Sequence, residues 1–108
     1  MKESKLQAEI IAALGNLKSV AFVRNNLVGR SRMDSGYVSF GHKNDLDIFG
    51  LTKNGKYFEI EVKVEGQENK NPERVKKQRQ RVVFIRNNLG LSGFANSIEQ
   101  AKEIVEQR

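Results

Sequence analysis

The sequence predicts an α/β domain, a mixed β-sheet flanked by helices in the order α-β-β-β-β-α-β-α. Three observations lead there. From Tyr57 to Val64 the residues alternate, with Phe58, Ile60, Val62 and Val64 apolar and Tyr57, Glu59, Glu61 and Lys63 polar, which is the period of a strand. Lys53-Asn54-Gly55-Lys56 separates that strand from an apolar-rich stretch beginning at Asp45, and Asn-Gly is the pair that best accepts the positive φ angles of a type I′ hairpin turn. Finally, a helical period from Glu73 to Leu89 leads to a last short strand around Phe94, so the Glu61 and Phe94 strands are joined by a helical crossover and should run parallel.

A chain of 108 residues makes one domain, residues 1–108, able to bury about two thirds of its unfolded surface. Hydrophobic content of 38% beside 30% charge is ordinary for a folded protein. Nineteen Lys and Arg against thirteen Asp and Glu leave a net charge of +6, which favours a polyanionic partner, nucleic acid first and an acidic membrane surface second. With no cysteine, disulfides, thiolate zinc sites and cysteine nucleophiles are excluded. The single histidine, His42, is too few for a zinc hydrolase, and no nucleophile elbow accompanies it. No apolar run follows Met1-Lys2-Glu3-Ser4 and none has the length of a membrane span, so the expectation is a cytosolic protein with no membrane partner.

Taking the chain in order, Ser4 with Gln7 reads as a capping box opening a helix whose stripe is Leu6, Ile10, Ala13 and Leu14, ending at Gly15. Glu9 borders that stripe, where the helix would meet the sheet or, alternatively, water. Val20 to Leu27 suits a strand that turns polar at Arg24-Asn25-Asn26. Gly29 to Gly36 reads as a polar loop in which Arg30 and Arg32 could grasp phosphate, and Tyr37 to Phe40 as a short strand. After the hairpin, 65–70 reads as a loop, and Asn71-Pro72 opens a helix with an N-cap followed by proline at its first position. Val75, Gln78, Val82, Ile85 and Leu89 form its inner stripe, with Gln78 standing where an apolar residue would be expected and therefore needing partners. Lys76, Lys77, Arg79, Arg81 and Arg86 crowd its other faces, a repulsion that an anionic partner would offset. Gly90 and Gly93 flank a turn before Phe94-Ala95-Asn96, and Ser97 with Gln100 caps a final helix buried through Ile98, Ala101, Ile104 and Val105.

The chemistry concentrates on the hairpin. Side chains two apart on a strand share a face, so Glu61 and Lys63 point the same way, and the hairpin brings Asp47 beside them. Two carboxylates and an ammonium on one side of a sheet suit phosphodiester hydrolysis, in which carboxylates hold a hard divalent cation and a cationic side chain attends the attacking water. Asp47 and Glu61 are the candidate ligands, with the Val62 backbone carbonyl as another and Lys63 as the water's partner. Asp45, Glu59 and Glu65 are substitutes if the parity slips by one residue, and a plain Glu61–Lys63 ion pair on a solvated face is the alternative.

Asp-Leu-Asp-Ile-Phe-Gly from Asp45, followed after the hairpin by Glu-Ile-Glu-Val-Lys from Glu59, resembles the PD-(D/E)xK nuclease core and in particular the virus-type replication-repair nuclease (VRR-NUC) domain. Arg24-Asn25-Asn26, Tyr37-Val38-Ser39-Phe40-Gly41, Gln78, Leu89-Gly90 and Phe94-Ala95-Asn96-Ser97 extend the likeness along nearly the whole chain; Leu46 stands where the family commonly has proline. The resemblance implies a restriction-endonuclease-like core and Mg²⁺- or Mn²⁺-dependent cleavage of DNA. It implies Asp47, Glu61 and Lys63 as the catalytic set, Glu9 as the first-helix carboxylate and Gln78 as the helix glutamine near the site. Arg24, Arg30, Arg32, Lys76, Lys77, Arg79 and Arg81 are the expected DNA contacts. It further implies a homodimer acting on branched DNA, four-way junctions above all, because 108 residues leave no room for the insertion of the flap-preferring members. No small-molecule cofactor is expected. The rival expectations are a catalytically silent nucleic-acid-binding module and a restriction-type enzyme acting on linear duplex.

Overall fold

The computed structural model describes residues 2–26, 29–33, 36–40, 45–66 and 71–107, with the side chains of 29–33 and 36–40 outside the description. The elements are α1 (Glu3–Gly15), β1 (Val20–Asn25), β2 (Gly29–Met33), β3 (Gly36–Phe40), β4 (Ile48–Thr52), β5 (Tyr57–Val62), α2 (Pro72–Asn87), β6 (Leu91–Ala95) and α3 (Ile98–Glu106). The fold is α/β. Strands β1-β4-β5-β6 form one mixed sheet flanked by helices, consistent with a restriction-endonuclease-like core. The pairs β1–β4 and β4–β5 are antiparallel, while β5 and β6 are parallel across the α2 crossover.

Within the stretch expected to be a polar loop, Gly29 to Gly36, Gly29–Met33 is instead strand β2, which pairs antiparallel with β3 from Gly29↔Phe40 to Met33↔Gly36; Asp34 and Ser35 lie outside the described residues. Backbone pairing with β3 makes a strand of a segment that composition alone reads as loop. Of the loop expected over 65–70, only Glu65 and Gly66 are described.

Strand parity divides the main sheet into two layers. Ile48, Phe58, Ile60, Val62, Leu91 and Ala95 join Leu6, Ile10 and Leu14 of α1 and Ala101 and Val105 of α3 in the hydrophobic core. The opposite parity carries Glu59, Glu61 and Ser92, all buried, and meets α2 through Gln78, Arg81 and Arg86. The charged face expected on the hairpin is thus covered. Gly93, expected near a turn, lies inside β6, where a Cβ would come within 3.0 Å of Ile104 Cδ1; its lack of a side chain lets α3 approach the sheet closely.

Local signals explain most boundaries. Asn71 accepts from the Glu73 and Arg74 amides with Pro72 next in line, as expected, and Ser97 Oγ accepts from Gln100 N while Gln100 Oε1 accepts from the Asn96 amide. Ser4 does not cap α1: the cap is Lys2, without a side-chain bond, and Gln7 donates to Glu3 instead. At the hairpin tip only Gly55 has positive φ, 88°, and Thr52 O accepts from Gly55 N while Thr52 N donates to Lys56 O. The tip is therefore a three-residue loop rather than a type I′ turn. Leu89, expected in the α2 stripe, lies beyond the helix at φ 69° and is 83% exposed.

Removing the Ser97 hydroxyl in a Ser97→Ala variant should cost about 1 kcal/mol of stability. Urea unfolding should show a lower midpoint at unchanged slope, and an unchanged midpoint would contradict the capping role.

Candidate metal centre

The β4–β5 register pairs Ile48 with Ile60, and one step further it sets Asp47 opposite Glu61. Each residue then holds the other's segment. The Asp47 amide donates to Glu61 Oε1 at 3.3 Å, and the Val62 amide donates to Asp47 Oδ2 at 2.9 Å. The Asn26 amide, just past β1, donates to the Asp47 carbonyl at 2.8 Å, so the segment before β4 is held from both sides.

From the covering helix, Gln78 Nε2 donates to Glu61 Oε2 at 2.8 Å. Lys63 follows β5, its amide anchored on the Ala95 carbonyl and its Nζ 3.6 Å from Glu61 Oε2. Glu3, in the first turn of α1, completes an acidic group in which carboxylate oxygens of Glu3, Asp47 and Glu61 lie within 4.8 Å of one another. A cleft of about 450 Å³ opens beside them, lined by Asn26, Asp47, Glu61, Arg74, Lys77 and Gln78 among others.

The electrostatics follow from burial. Burial raises Asp47 above its usual value, more than the Val62 amide, the hydrogen bond with Glu61 and the Lys63 and Arg74 charges lower it. Burial and then the Asp47 charge push Glu61 to about 8 despite Lys63. Both carboxyls are thereby pushed toward their protonated forms, and a cation entering between them would compete with the proton.

A second set of carboxylate contacts lies two residues back along β5. Glu59, fully buried, accepts from Arg81 Nε at 3.0 Å and Arg81 Nη2 at 2.6 Å, from the Leu46 amide at 3.1 Å and from the Tyr57 hydroxyl. Burial pushes its carboxyl up, but the Arg81 and Tyr57 hydrogen bonds and the Leu46 amide outweigh it and hold the group below its usual value. The same contacts and nearby carboxylates raise Arg81 above its usual value, led by the Glu59 hydrogen bond.

Several expectations change at this point. The helix carboxylate in the acidic group is Glu3, not Glu9. Glu9 lies six residues along α1, about 9 Å up the axis, and turned away from Glu3 by the helical period. Only the cap, wrongly placed at Ser4, could have flagged Glu3. Val62 has a further role besides the carbonyl proposed as a ligand, since its amide holds the Asp47 carboxylate. Arg81 is not a surface cation, since Glu59 and Asp45 engage it. Of the alternatives, Glu59 and Asp45 belong to that ion-pair group and Glu65 is exposed. Lys76, Lys77 and Arg79 do stand exposed on α2, Lys77 at the cleft. Arg86 is exposed as well, but donates to the Ser92 carbonyl. Arg74, which sequence reasoning passed over, lies one helical turn before Lys77 on the cleft wall. Arg24 is exposed, donates to its neighbour's carbonyl and lies over the Phe22 ring. The side chains of Arg30 and Arg32, and all of His42, fall outside the described residues.

No family model, no curated protein and no solved structure matches this chain. What it could bind is therefore judged on its donors. Three carboxylates and no nitrogen or sulfur ligand suit a hard divalent cation such as Mg²⁺ or Mn²⁺. Gln78 Oε1 adds a buried oxygen without a hydrogen-bond partner in the same layer. The residues fit such an ion. Among the described residues no helix is long and apolar enough to cross a membrane.

The raised Glu61 carboxyl sets a pH test. A group whose folded value, about 8, exceeds its free value of 4.5 stabilises the metal-free fold fully below the free value and loses that contribution as pH rises through the folded one. Between pH 5 and pH 9 the thermal midpoint of the metal-free protein should fall relative to Glu61→Gln, at roughly 4–8 °C per kcal/mol. Parallel curves for the two proteins would refute the buried, mutually repelling pair.

Proposed function

We propose that this chain is a Mg²⁺- or Mn²⁺-dependent endodeoxyribonuclease of the VRR-NUC kind, a structure-selective enzyme that cleaves branched DNA, four-way junctions above all. The observation that carries the reading is the mutual bracing of Asp47 and Glu61 with Lys63 beside them. Two braced carboxylates on a cleft wall form a ligand pair whose spacing does not depend on flexible side chains alone.

Glu3, Asp47 and Glu61 would hold the ion, which when bound supplies charge neutralisation at the phosphate and acidifies a water. Gln78 fixes the orientation of Glu61 through its amide. Lys63, partly exposed, carries an ammonium that can orient the attacking water or exchange a proton with it. Arg74 and Lys77 line the same cleft and would draw the DNA backbone along it. Cleavage in this arrangement leaves a 5′-phosphate. A homodimer would suit a two-armed substrate, and Val83, Phe84 and Leu89, 55%, 57% and 83% exposed, offer apolar surface for one.

Labelled junction, hairpin, flap and linear duplex substrates test the reading with Mg²⁺ or Mn²⁺. Wild type should cut the junction, Asp47→Asn should bind it without cutting, and the linear duplex should survive. Binding without cleavage by both proteins would leave a silent nucleic-acid-binding module, and efficient duplex cleavage would point to a restriction-type enzyme.

Charge removal at Lys76, Lys77 and Arg79 should weaken binding to all substrates alike and flatten the salt dependence by roughly 0.9 in logarithmic slope per lost phosphate contact. An unchanged slope would remove these residues from the interface.

A further inference from the structure

The segment that presents Asp47 lies outside the regular ladder, because the β4–β5 register ends at Ile48↔Ile60. What holds it to β5 is a pair of side-chain acceptors. The Leu46 amide donates to Glu59 and the Asp47 amide to Glu61, so successive amides rest on carboxylates two residues apart on one strand. From above, α2 meets the same carboxylates, Gln78 on Glu61 and, three residues later, Arg81 on Glu59. Three residues of helix rise about 4.5 Å and two of strand about 6.5–7 Å, close enough for flexible side chains to make two parallel rungs.

The second rung is more tightly built than the first. Arg81 forks onto both oxygens of Glu59, and its Nη2 also reaches Asp45 Oδ1 at 3.1 Å. One guanidinium thus joins α2 to both arms of the hairpin. A buried ion pair contributes little stability that a well-packed apolar pair would not also supply. What an apolar pair lacks is direction: it has no acceptor for the Leu46 amide and no fork to fix where Asp45 sits. Neither Glu59 nor Arg81 lines the cleft, so neither would meet substrate or ion.

We propose that Glu59 and Arg81 are a positioning pair that sets the Asp45–Leu46–Asp47 segment against β5 and thereby aims the Asp47 carboxylate. The clamp itself is a property of the metal-free protein; its effect on cation binding rests on the nuclease reading. A one-residue slip of the segment would carry Asp47 to the other face of the sheet, and the clamp opposes that slip.

The test compares wild type with Glu59→Gln/Arg81→Met and Glu59→Leu/Arg81→Met. Both variants lose the ion pair, but only the first keeps an oxygen for the Leu46 amide. Amide hydrogen exchange of the ¹⁵N-labelled, metal-free proteins reads the clamp directly. In Glu59→Leu/Arg81→Met the Leu46 and Asp47 amides should exchange about tenfold faster or more, while the Lys63 amide, bonded to Ala95 O, keeps its rate. Glu59→Gln/Arg81→Met, which keeps the Leu46 acceptor but loses the fork onto Glu59 and Asp45, should show a smaller rise. Titration with Mn²⁺ followed by calorimetry should show dissociation constants raised roughly 10–100-fold in the leucine variant, and far less in the glutamine one. Should the leucine variant not fold, Glu59→Met/Arg81→Met, which also removes the acceptor but fills the site with an adaptable unbranched side chain, provides the same comparison.

Unchanged Leu46 and Asp47 exchange, or a rise shared by every amide, would overturn the clamp. Opened amides with wild-type Mn²⁺ affinity would overturn its aiming of Asp47. If these amides open locally and wild type binds no Mn²⁺, the clamp stands and the metal reading fails.

Discussion

Two carboxylates facing each other across an antiparallel pair are the constraint on which this structure turns. Asp47 and Glu61 repel when both are ionised, yet each is tied to the other's strand by a backbone amide. The repulsion cannot relax by rotation of either side chain without leaving an amide unpaired, and a buried unpaired amide is costly. The upward push on both carboxyls follows from this, as does the pair's suitability, on the proposed reading, for a divalent cation. A site that is uncomfortable when empty has stabilisation to gain from charge.

The sheet's polar layer is the means by which that discomfort is maintained. Placed on a solvated face, Glu61 would ionise freely and lose its distinction from any surface glutamate. Covered by α2, it is desolvated and must take its partners from the protein. Gln78 serves it there, and Arg81 serves Glu59 in the same way two residues along. The opposite face is sealed by α1 and α3 around Phe58, Ile60 and Val62 with ordinary apolar packing. One strand therefore serves the core through one parity and the candidate site through the other.

Helix α2 has divided duties for the same reason. Its first turns, with Arg74, Lys77 and Gln78, face the cleft. Its middle, at Arg81, reaches inward to the ion-pair cluster. Lys76 and Arg79 remain outside. The dense positive charge of the helix is thus partly an internal counterion, so its capacity for an external polyanion is smaller than a count of its cations suggests.

Much of this was legible from residue order. Period-2 alternation placed β5, Asn71-Pro72 and Ser97 placed the starts of two helices, and the crossover placed β5 parallel to β6, because each depends on neighbours in the chain. The hairpin brought Asp47 to Glu61, and the lone glutamine in an apolar stripe marked Gln78 as needing a partner. What the sequence by itself determined, then, was the pair of carboxylates and the strands that oppose them, since parity and turn position are local properties. Only the tertiary structure decided that Glu3 rather than Glu9 completes the acidic group, that Arg81 is spent on Glu59, and that the charged face is buried. Those outcomes depend on how helices distant in sequence settle over the sheet, and no spacing within a single element encodes which of its polar side chains will find a partner on another.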